Sequence, residues 1–346
     1  MRNNYLKNKT LGLFVKTKGV LSKPFFSGLG HILCFHRIIN PDGRRRIWAS
    51  SGKEISEEKL LFIINFFIRK GYEFISMDEL FNRLSLGKKQ RKFIVVTFDD
   101  GYIDNYTIAF PLFKKLGIPF IIYVSTGMPD GEMTLWPYFL EEYILNTDLI
   151  KFQVNETVYE FPSCTQHEKE IAYNNIRSIV LQDERLTVPH LMNNVFEINK
   201  DKSADYTKEQ ALSWAQLREL CTCDLITIGA HGKNHFALSK QNDRISSEEI
   251  TESKIRLEQQ LEKRINHFAY PYGTKNEFEL REENIVFSAG YKTSVTLLQG
   301  NVFPLHRTHP YRLPRIPMSE NVNEEILNNI TNGIRQFSFN GFQKTQ

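Results

Sequence analysis

The segment FIVVTF, residues 93–98, restricts the possible folds of this chain more than any other part of its sequence. Its side chains are β-branched, aromatic or apolar at almost every position, whereas a half-exposed strand alternates between apolar and polar residues. Strands that are apolar on both faces are typical of parallel sheets covered by helices. The segment is therefore predicted to be a buried parallel strand.

Short apolar runs alternate with helical patterns along most of the chain, as in folds whose helices connect parallel strands. Further strands are predicted at 31–36, 73–76, 118–124, 225–229, 267–270 and 292–296. Helices are predicted at 57–69 (with Ser56 as N-cap), 77–86, 104–116, 246–261 (capped by Ser246 or Ser247) and 278–289. These patterns indicate an α/β fold.

Residues 132–215 depart from the alternation of strand and helix. They contain amphipathic helical segments and a predicted hairpin near Val154–Tyr159. We interpret them as a mostly helical insertion, and a separate domain is the alternative. The insertion lies within a domain predicted at 30–335, between a basic leader over 1–29 and a polar tail over 336–346.

Composition excludes several classes of protein. A net charge of +4 over 346 residues is too small to indicate nucleic-acid binding. No apolar run reaches the roughly 18 residues of a transmembrane helix, and lysines interrupt the candidate signal segment. The cysteines have neither zinc-knuckle nor disulfide-framework spacing, which favours reduced thiols. We therefore expect a cytoplasmic protein.

The basic leader leaves two structures open. Its apolar residues, interspersed with lysines, suit a short helix on an anionic membrane surface, which would give peripheral contact at the inner membrane face. The alternative is a leader helix that packs on the domain or frays. The sequence does not indicate an oligomeric state.

Two adjacent carboxylates, Asp99 and Asp100, follow the strand 93–98 in the segment TFDDGY. Unpaired charge is costly to bury beside such a strand, so a compensating cation is expected. Neighbouring side chains at a strand end point to different sides, and Gly101 permits a sharp turn after them. One carboxylate is then a candidate metal ligand while the other faces water or substrate. A helix N-cap pair is the alternative.

His231 and His235 follow another apolar run, in the segment IGAHGKNH. Histidines four residues apart on a helical turn can bind one metal ion. With Asp100 they form a two-histidine, one-carboxylate set that leaves positions open for water and substrate. Zinc fits this set, and Co, Ni, Mn and Fe are alternatives. Two unrelated surface histidines are the structural alternative.

The segment FAYPYG, residues 268–273, also follows a predicted strand. A Pro-x-Gly turn can direct backbone N–H groups into a cavity, which makes the Tyr272 N–H a candidate donor to a tetrahedral oxyanion. A simple turn from strand to loop is the alternative.

In this order, TFDDGY at 97–102, H-x-x-x-H at 231–235, FAYPYG at 268–273 and LPRIP at 313–317 resemble the polysaccharide deacetylase family, carbohydrate esterase family four. The resemblance spans about residues 30–318. It implies a distorted parallel (β/α) barrel with a divalent metal at its C-terminal mouth, where such barrels carry their active sites. It also implies removal of an N-acetyl group from a sugar, with release of acetate.

The resemblance implies a role for each motif residue. Asp99 is the expected general base, the Tyr272 N–H the expected oxyanion donor, and the expected metal ligands are Asp100, His231 and His235.

The general acid is expected to be His36, which ends the first predicted strand as the family's early histidine does. His306 and His309, later in the chain, are the alternatives.

The sequence departs from the family pattern at two positions. Gly232 replaces the usual Ser or Thr, so a hydroxyl that braces the loop is lost. Ala269 replaces an arginine that orients the base in many members, and Arg315 is a candidate replacement. Trp136 and Arg315 are candidates for substrate contact, with Tyr138 and Trp214 as further aromatic residues that suit a sugar. Core packing is the alternative role for each of the three aromatic residues.

Two other functions are consistent with the same residues. One is metal-dependent hydrolysis of a non-sugar acylamide. The other is carbohydrate binding without catalysis, which the presence of both aspartates and both histidines of the motifs disfavours.

Overall fold

The computed structural model describes residues 26–40, 42–86 and 91–333. Its strands are β1 (Gly30–Phe35), β2 (Arg37–Ile38), β3 (Glu54–Ile55), β4 (Glu73–Phe74), β5 (Phe93–Phe98), β6 (Phe120–Val124), β7 (Leu149–Val154), β8 (Thr157–Pro162), β9 (Ile226–Ala230), β10 (His267–Ala269), β11 (Thr293–Gln299) and β12 (Leu313–Pro317).

The α-helices are α1 (Trp48–Ser51), α2 (Glu57–Arg69), α3 (Met77–Leu86), α4 (Phe110–Leu116), α5 (Gly127–Asp130), α6 (Trp136–Leu145), α7 (Gln166–Val180), α8 (Glu184–Asn194), α9 (Lys200–Gln210), α10 (Trp214–Leu220), α11 (Asp243–Leu261), α12 (Leu280–Ser288) and α13 (Glu324–Asn332). A π-helical turn at Asn105–Ala109 precedes α4, and 3-10 turns lie at Leu238–Lys240, Pro304–Arg307 and Pro310–Arg312.

Seven parallel strands close into a barrel in the order β1, β12, β11, β10, β9, β6, β5. The barrel closes because β5 pairs with β1 along the whole strand, from Gly30 opposite Phe93 to Phe35 opposite Phe98. The short strand β4 adds to the start of β5. The predicted distorted parallel (β/α) barrel is thus confirmed.

Side chains of β5 alternate between the two sides of the barrel wall, as the pleat of a strand requires. Ile94, Val96 and Phe98 pack outward in the large core beneath the helices. Val95 packs inward with residues from other barrel strands, and Thr97 is buried with it. The inward row continues to Asp99, and this register places a carboxylate on the barrel axis.

The first turn of α11 differs from its prediction. The helix begins at Asp243, because the Asn242 side chain accepts a hydrogen bond from the Ile245 N–H and acts as N-cap. Ser246 instead lies inside the helix and donates its hydroxyl to buried Glu282 of α12. By contrast, Ser56 caps α2 as predicted, accepting from the Lys59 N–H.

Residues of the predicted insertion form α6, the antiparallel hairpin β7–β8, and helices α7 to α9. Their apolar side chains share one core, which includes Leu140, Ile176 and Leu191. The same core contains Ala237 and Tyr272, from the two loops that follow β9 and β10. The helical segment therefore packs directly on the barrel mouth.

The predicted membrane-surface helix and the polar tail lie outside the described residues, as does most of the leader. Within the described ranges, no helix combines the length and apolar character that crossing a membrane requires. All four cysteines are free thiols.

Candidate active site

Polar residues follow four strands of the barrel at their carboxyl ends. His36 follows β1, Asp99 follows β5, His231 follows β9, and Tyr272 lies in the loop after β10. Because parallel strands end at the same rim of a barrel, segments far apart in sequence meet there. Asp99, Asp100, His36, His231 and His235 are all nearly buried.

Asp100, His231 and His235 face one another at this rim. The Asp100 Oδ1 atom lies 3.4 Å from His231 Nε2 and 3.3 Å from His235 Nε2. Asp100 and His235 both have left-handed backbone conformations, with φ of 74° and 60°. Such φ values are uncommon outside glycine and cost energy. The fold maintains this strain where the three side chains converge.

The protonation of these groups suits a cation. The His231 Nδ1 atom lies 2.8 Å from the Ala269 carbonyl oxygen, so Nδ1 carries a hydrogen and Nε2 is the ring nitrogen that faces Asp100. Burial lowers the pKa of His235 to about 3, partly opposed by Asp100. In the described part of the chain, Asp100 Oδ1 is a buried oxygen without a hydrogen-bond partner. One carboxylate oxygen and two imidazole Nε2 atoms, all of them possible metal ligands, thus converge at one point.

The separations match a tetrahedral ion. Ligands about 2.0–2.2 Å from one zinc ion lie roughly 3.3–3.6 Å from each other. The two distances from Asp100 to the histidines fall in this range. The residues present therefore fit a divalent metal.

Asp99 lies beside this set and is held by Arg315. The guanidinium donates two parallel hydrogen bonds to Asp99, of 2.6 Å to Oδ1 and 2.7 Å to Oδ2. Burial alone raises the pKa of Asp99, but the charge of Arg315, together with His231 and the guanidinium hydrogen bonds, outweighs it and lowers the pKa to about 2. Asp99 is therefore ionised near neutral pH.

Arg315 is completely buried inside the barrel. It also donates to the Thr97 hydroxyl and, through Nε, to the Thr296 carbonyl oxygen. Arg315 is therefore placed to orient Asp99, the role of the family arginine that Ala269 replaces. Its burial disfavours direct contact with a sugar.

Two histidines, His36 and His231, lie equally close to Asp99, each with its Nε2 atom 3.9 Å from Asp99 Oδ2. Burial lowers the pKa of His36 to about 4, and the charge of Lys53 acts in the same direction. The imidazole is therefore neutral near pH 7. The thiol of Cys34, on β1, donates weakly to Asp99 over 3.5 Å.

The late histidines are not brought to this rim. Val302 pairs with Gly30 at the start of β1, which is the opposite end of the barrel. His306 follows four residues later and accepts a hydrogen bond from the Phe303 N–H. The position of this segment favours His36 over His306 as a partner for Asp99.

Tyr272 has a left-handed backbone, with φ of 59°, and its ring packs on His235 with centroids 4.6 Å apart. Among the described residues, the Tyr272 N–H donates to no other group. Its hydroxyl donates to Glu184 of α8 over 2.8 Å. An N–H without an internal acceptor beside the metal-ligand candidates suits an oxyanion donor.

Glu184 was not apparent from the sequence. Besides the Tyr272 hydroxyl, it accepts the Ala237 N–H over 2.6 Å. Burial raises the pKa of Glu184 to about 7, although both hydrogen bonds act against this. A residue of the helical segment thus connects the loop of His235 to the loop of Tyr272. No local sequence signal marks it, because both partners are distant in the chain.

Glu249 of α11 supplies the brace that Gly232 lacks. Its Oε2 atom accepts the N–H groups of Lys233 (2.9 Å) and Asn234 (2.8 Å), and Oε1 accepts the Asn234 side-chain amide. Gly232 has φ of 75°, and a Cβ there would lie 3.1 Å from Glu249 Oε2. The carboxylate therefore occupies the space of the missing side chain.

Replacing Glu249 with alanine is expected to weaken metal binding by about 10–100-fold, the usual effect of removing a group that orients ligands. The change leaves the partly buried N–H groups of Lys233 and Asn234, between the two histidines, without their acceptor. Chelator competition with zinc measures the affinity. Glu249→Gln, which retains one oxygen acceptor, is expected to lose less. Unchanged zinc affinity in Glu249→Ala would show that Glu249 does not support the metal ligands.

A cavity of about 290 Å³ opens on the metal-ligand candidates. Trp136 and Tyr138 line it, and so do Asp100, His235 and Tyr272. Trp214 is not among its lining residues. Its indole N–H donates to Asp130, and Arg256 covers its ring. Trp136 and Tyr138 are thus placed to contact a ligand, whereas Trp214 has a packing role.

Comparison with known proteins supports this picture. Residues 187–293 match the family model described as polysaccharide deacetylase. This range includes both histidines and Tyr272 but not Asp99. A stretch of 55 residues is 40% identical to YxkH of Bacillus subtilis, whose name assigns it provisionally to the polysaccharide deacetylases. The stretch covers 16% of this chain and 20% of that protein.

Solved structures show the same fold over most of the chain. The deacetylase PplD of Streptococcus pyogenes, in complex with acetate, has 18% identity and a TM-score of 0.57, covering 87% of this chain and 97% of PplD. IcaB of Ammonifex degensii has 17% identity and a TM-score of 0.54, covering 88% and 97%. A de-N-acetylase of Aggregatibacter actinomycetemcomitans has 14% identity and a TM-score of 0.55, covering 87% and 99%.

The fold and the rim of converging polar residues define a (β/α) barrel with a candidate metal centre. The family match and these likenesses confirm the resemblance to the polysaccharide deacetylase family that the sequence motifs indicated.

Proposed function

We propose that this protein is a metal-dependent hydrolase that removes the N-acetyl group from a sugar of a polysaccharide, oligosaccharide or glycan precursor. One observation carries the proposal. The possible ligand atoms of Asp100, His231 and His235 converge directly beside an ionised Asp99. Among the described residues, Asp100 Oδ1 has no hydrogen-bond partner.

A divalent cation held by these three residues would polarise the acetyl carbonyl and make water more acidic. Asp99 then accepts the proton of the attacking water, and Arg315 holds its carboxylate in place. The Tyr272 N–H donates to the developing oxyanion. All of these groups have little exposed surface.

His36 is proposed to protonate the leaving amine. Since its imidazole is neutral at rest, it must first gain a proton. Asp99 Oδ2, 3.9 Å away, is a source once it has accepted the proton of water. In this proposal the two residues move one proton from the nucleophile to the leaving group. The products are acetic acid and a free amine, and the proton that acetic acid releases near neutral pH gives acetate and an ammonium group.

Similarity to known proteins supports the reaction class. The family model is that of polysaccharide deacetylases, and the structure of PplD is a complex with acetate. The metal ion remains part of the proposal, with zinc favoured by the donor set and Co, Ni, Mn and Fe as alternatives.

Acetate release by metal-stripped protein, with and without added zinc or cobalt, tests the proposal on N-acetylated sugar oligomers. We expect release only with metal. His235→Ala is expected to lose both the bound metal, measured by elemental analysis, and the activity, because only two ligands remain. Release from simple acylamides but from no sugar would instead support the alternative amidohydrolase. Stoichiometric metal binding without any release would argue for a non-catalytic site.

A further inference from the structure

We infer that the substrate is an N-acetylated sugar carrying a negative charge, as phosphate or carboxylate, and that Lys53 and Arg177 bind this charge. The inference deepens the proposed function and rests on it for the acetyl group. It is carried by two cations that line the candidate active-site cavity and form no salt bridge with any described residue.

Both cations lie over the ring of Tyr272. Lys53 Nζ is 5.9 Å and Arg177 Cζ is 5.2 Å from the ring centroid. The ring of His235 is 4.6 Å from the same centroid. The two positive charges therefore lie next to a candidate metal ligand, although one comes from the loop after α1 and the other from α7.

Neither cation forms a salt bridge within the described part of the chain, and the carboxyl group nearest in effect to Arg177, that of Glu184, interacts with it only over a longer range. Among the described residues, no carboxylate oxygen lies within 4.0 Å of the Lys53 ammonium or the Arg177 guanidinium. The chain neighbour of Lys53, Glu54, turns its carboxylate to Arg46 at 2.6 Å. An aromatic ring attracts cations but has no net charge to offset them.

The acidic groups of the cavity are engaged elsewhere. Asp100 faces the two histidines, and Glu184 accepts the Tyr272 hydroxyl and the Ala237 N–H. Glu132 is exposed at the edge. Another exposed cation, Arg185, also lines the cavity. Next to Tyr272, the charged side chains that still have free hydrogen-bond donors are therefore Lys53 and Arg177.

The remaining wall suits a sugar ring. Trp136 and Tyr138 present aromatic surface to the cavity, and Asp100 and His235 form its base. A volume of about 290 Å³ is at the lower end for small-molecule sites, and it suits one sugar residue with its substituent. A neutral glycan would displace water from two cations without pairing their charge, whereas a phosphate or carboxylate would accept charge-assisted hydrogen bonds from both.

Isothermal titration of the zinc-loaded protein compares three probes: N-acetylglucosamine, N-acetylglucosamine 1-phosphate and N-acetylmuramic acid. The phosphate and carboxylate sugars separate the two sources of charge. We expect at least one of them to bind about tenfold or more tightly than the neutral sugar, with a preference that declines as salt is added. Acetate release from each probe is measured in parallel.

The double variant K53Q/R177Q is expected to bring the preference below about threefold. The matched control is R69Q/K115Q, which also removes one lysine and one arginine. Both of its positions are exposed and lie outside the cavity, so the control is expected to retain the preference. An anionic sugar that binds through the metal alone would keep its advantage in K53Q/R177Q and would overturn the inference. Equal binding of all probes would overturn it as well.

Failure of the proposed function gives a different result. In that case no probe releases acetate, while the preference for the anionic sugar and its loss in K53Q/R177Q remain. Thermal unfolding of both double variants shows whether they keep the fold, and the single variants K53Q and R177Q replace the double variant if it does not.

Discussion

Replacing Asp99 with asparagine is expected to reduce kcat by about 10²–10⁴-fold while metal binding stays nearly intact. The amide is close in size to the carboxylate but cannot accept the proton of water. Asp100, His231 and His235 are unchanged, so the candidate metal ligands remain in place. Turnover is measured by acetate release, and metal content by elemental analysis of the same preparation.

The control for this experiment is His235→Ala, which is expected to lose metal and activity together. A separation of the two properties in Asp99→Asn, but not in His235→Ala, distinguishes a base from a ligand. Near-normal turnover in Asp99→Asn would refute the assignment of Asp99 as the base. The asparagine also places an N–H₂ group against Arg315, so its stability must be measured alongside.

Replacing Arg315 with methionine is expected to lower the free energy of unfolding by about 3–5 kcal/mol, because the change leaves a buried charge without its partner. Asp99 is 1% exposed and Arg315 has no exposed surface, so water cannot compensate. Denaturant unfolding measures the loss. Activity is expected to fall with it, since the carboxylate is no longer oriented by two hydrogen bonds.

A double-mutant cycle isolates this interaction. The variant D99N/R315M has no buried charge at this pair, and it is expected to be more stable than R315M alone. The surface variant R244M, which loses an exposed pair with Glu248, is expected to cost no more than about 1 kcal/mol. A cost of R315M as small as that of R244M would contradict the structural account of the pair.

The barrel was predictable because its signals are local. FIVVTF is apolar on both faces, and every residue of β5 is buried as this pattern predicts. Asp100, His231 and His235 were predicted to come together because each motif follows a strand, and the carboxyl ends of parallel strands share one rim. β5 and β9 each pair with β6, which lies between them, and in the closed barrel both imidazoles lie within 3.4 Å of the Asp100 carboxylate.

Local signals were ambiguous where two caps competed. Ser246 and Ser247 are good N-cap residues, yet Asn242 begins α11. Asn and Ser have similar preference at this position. The choice was settled by packing, since the Ser246 hydroxyl is needed at the contact with Glu282.

Residues of the site that act through distant partners were missed. Glu184 contacts Tyr272 and Ala237 from the helical segment, and Glu249 braces the loop after β9 from the helix that follows it. Acidic residues are common on helix surfaces, so neither stands out in the sequence. Arg177 and Lys53 do not stand out in the sequence either, because basic side chains are common throughout a chain with 44 lysines and arginines.

The sequence by itself determined the fold class and the chemistry of the rim, because strand pattern and motif position depend on neighbouring residues. Only the tertiary structure decided what surrounds that rim: that Arg315 reaches Asp99, that Glu249 takes the place of a missing hydroxyl, and that Lys53 and Arg177 share one ring. These contacts join residues far apart in the chain. Their energies depend on distance and burial, which are set when the barrel closes and the helical segment packs on its mouth.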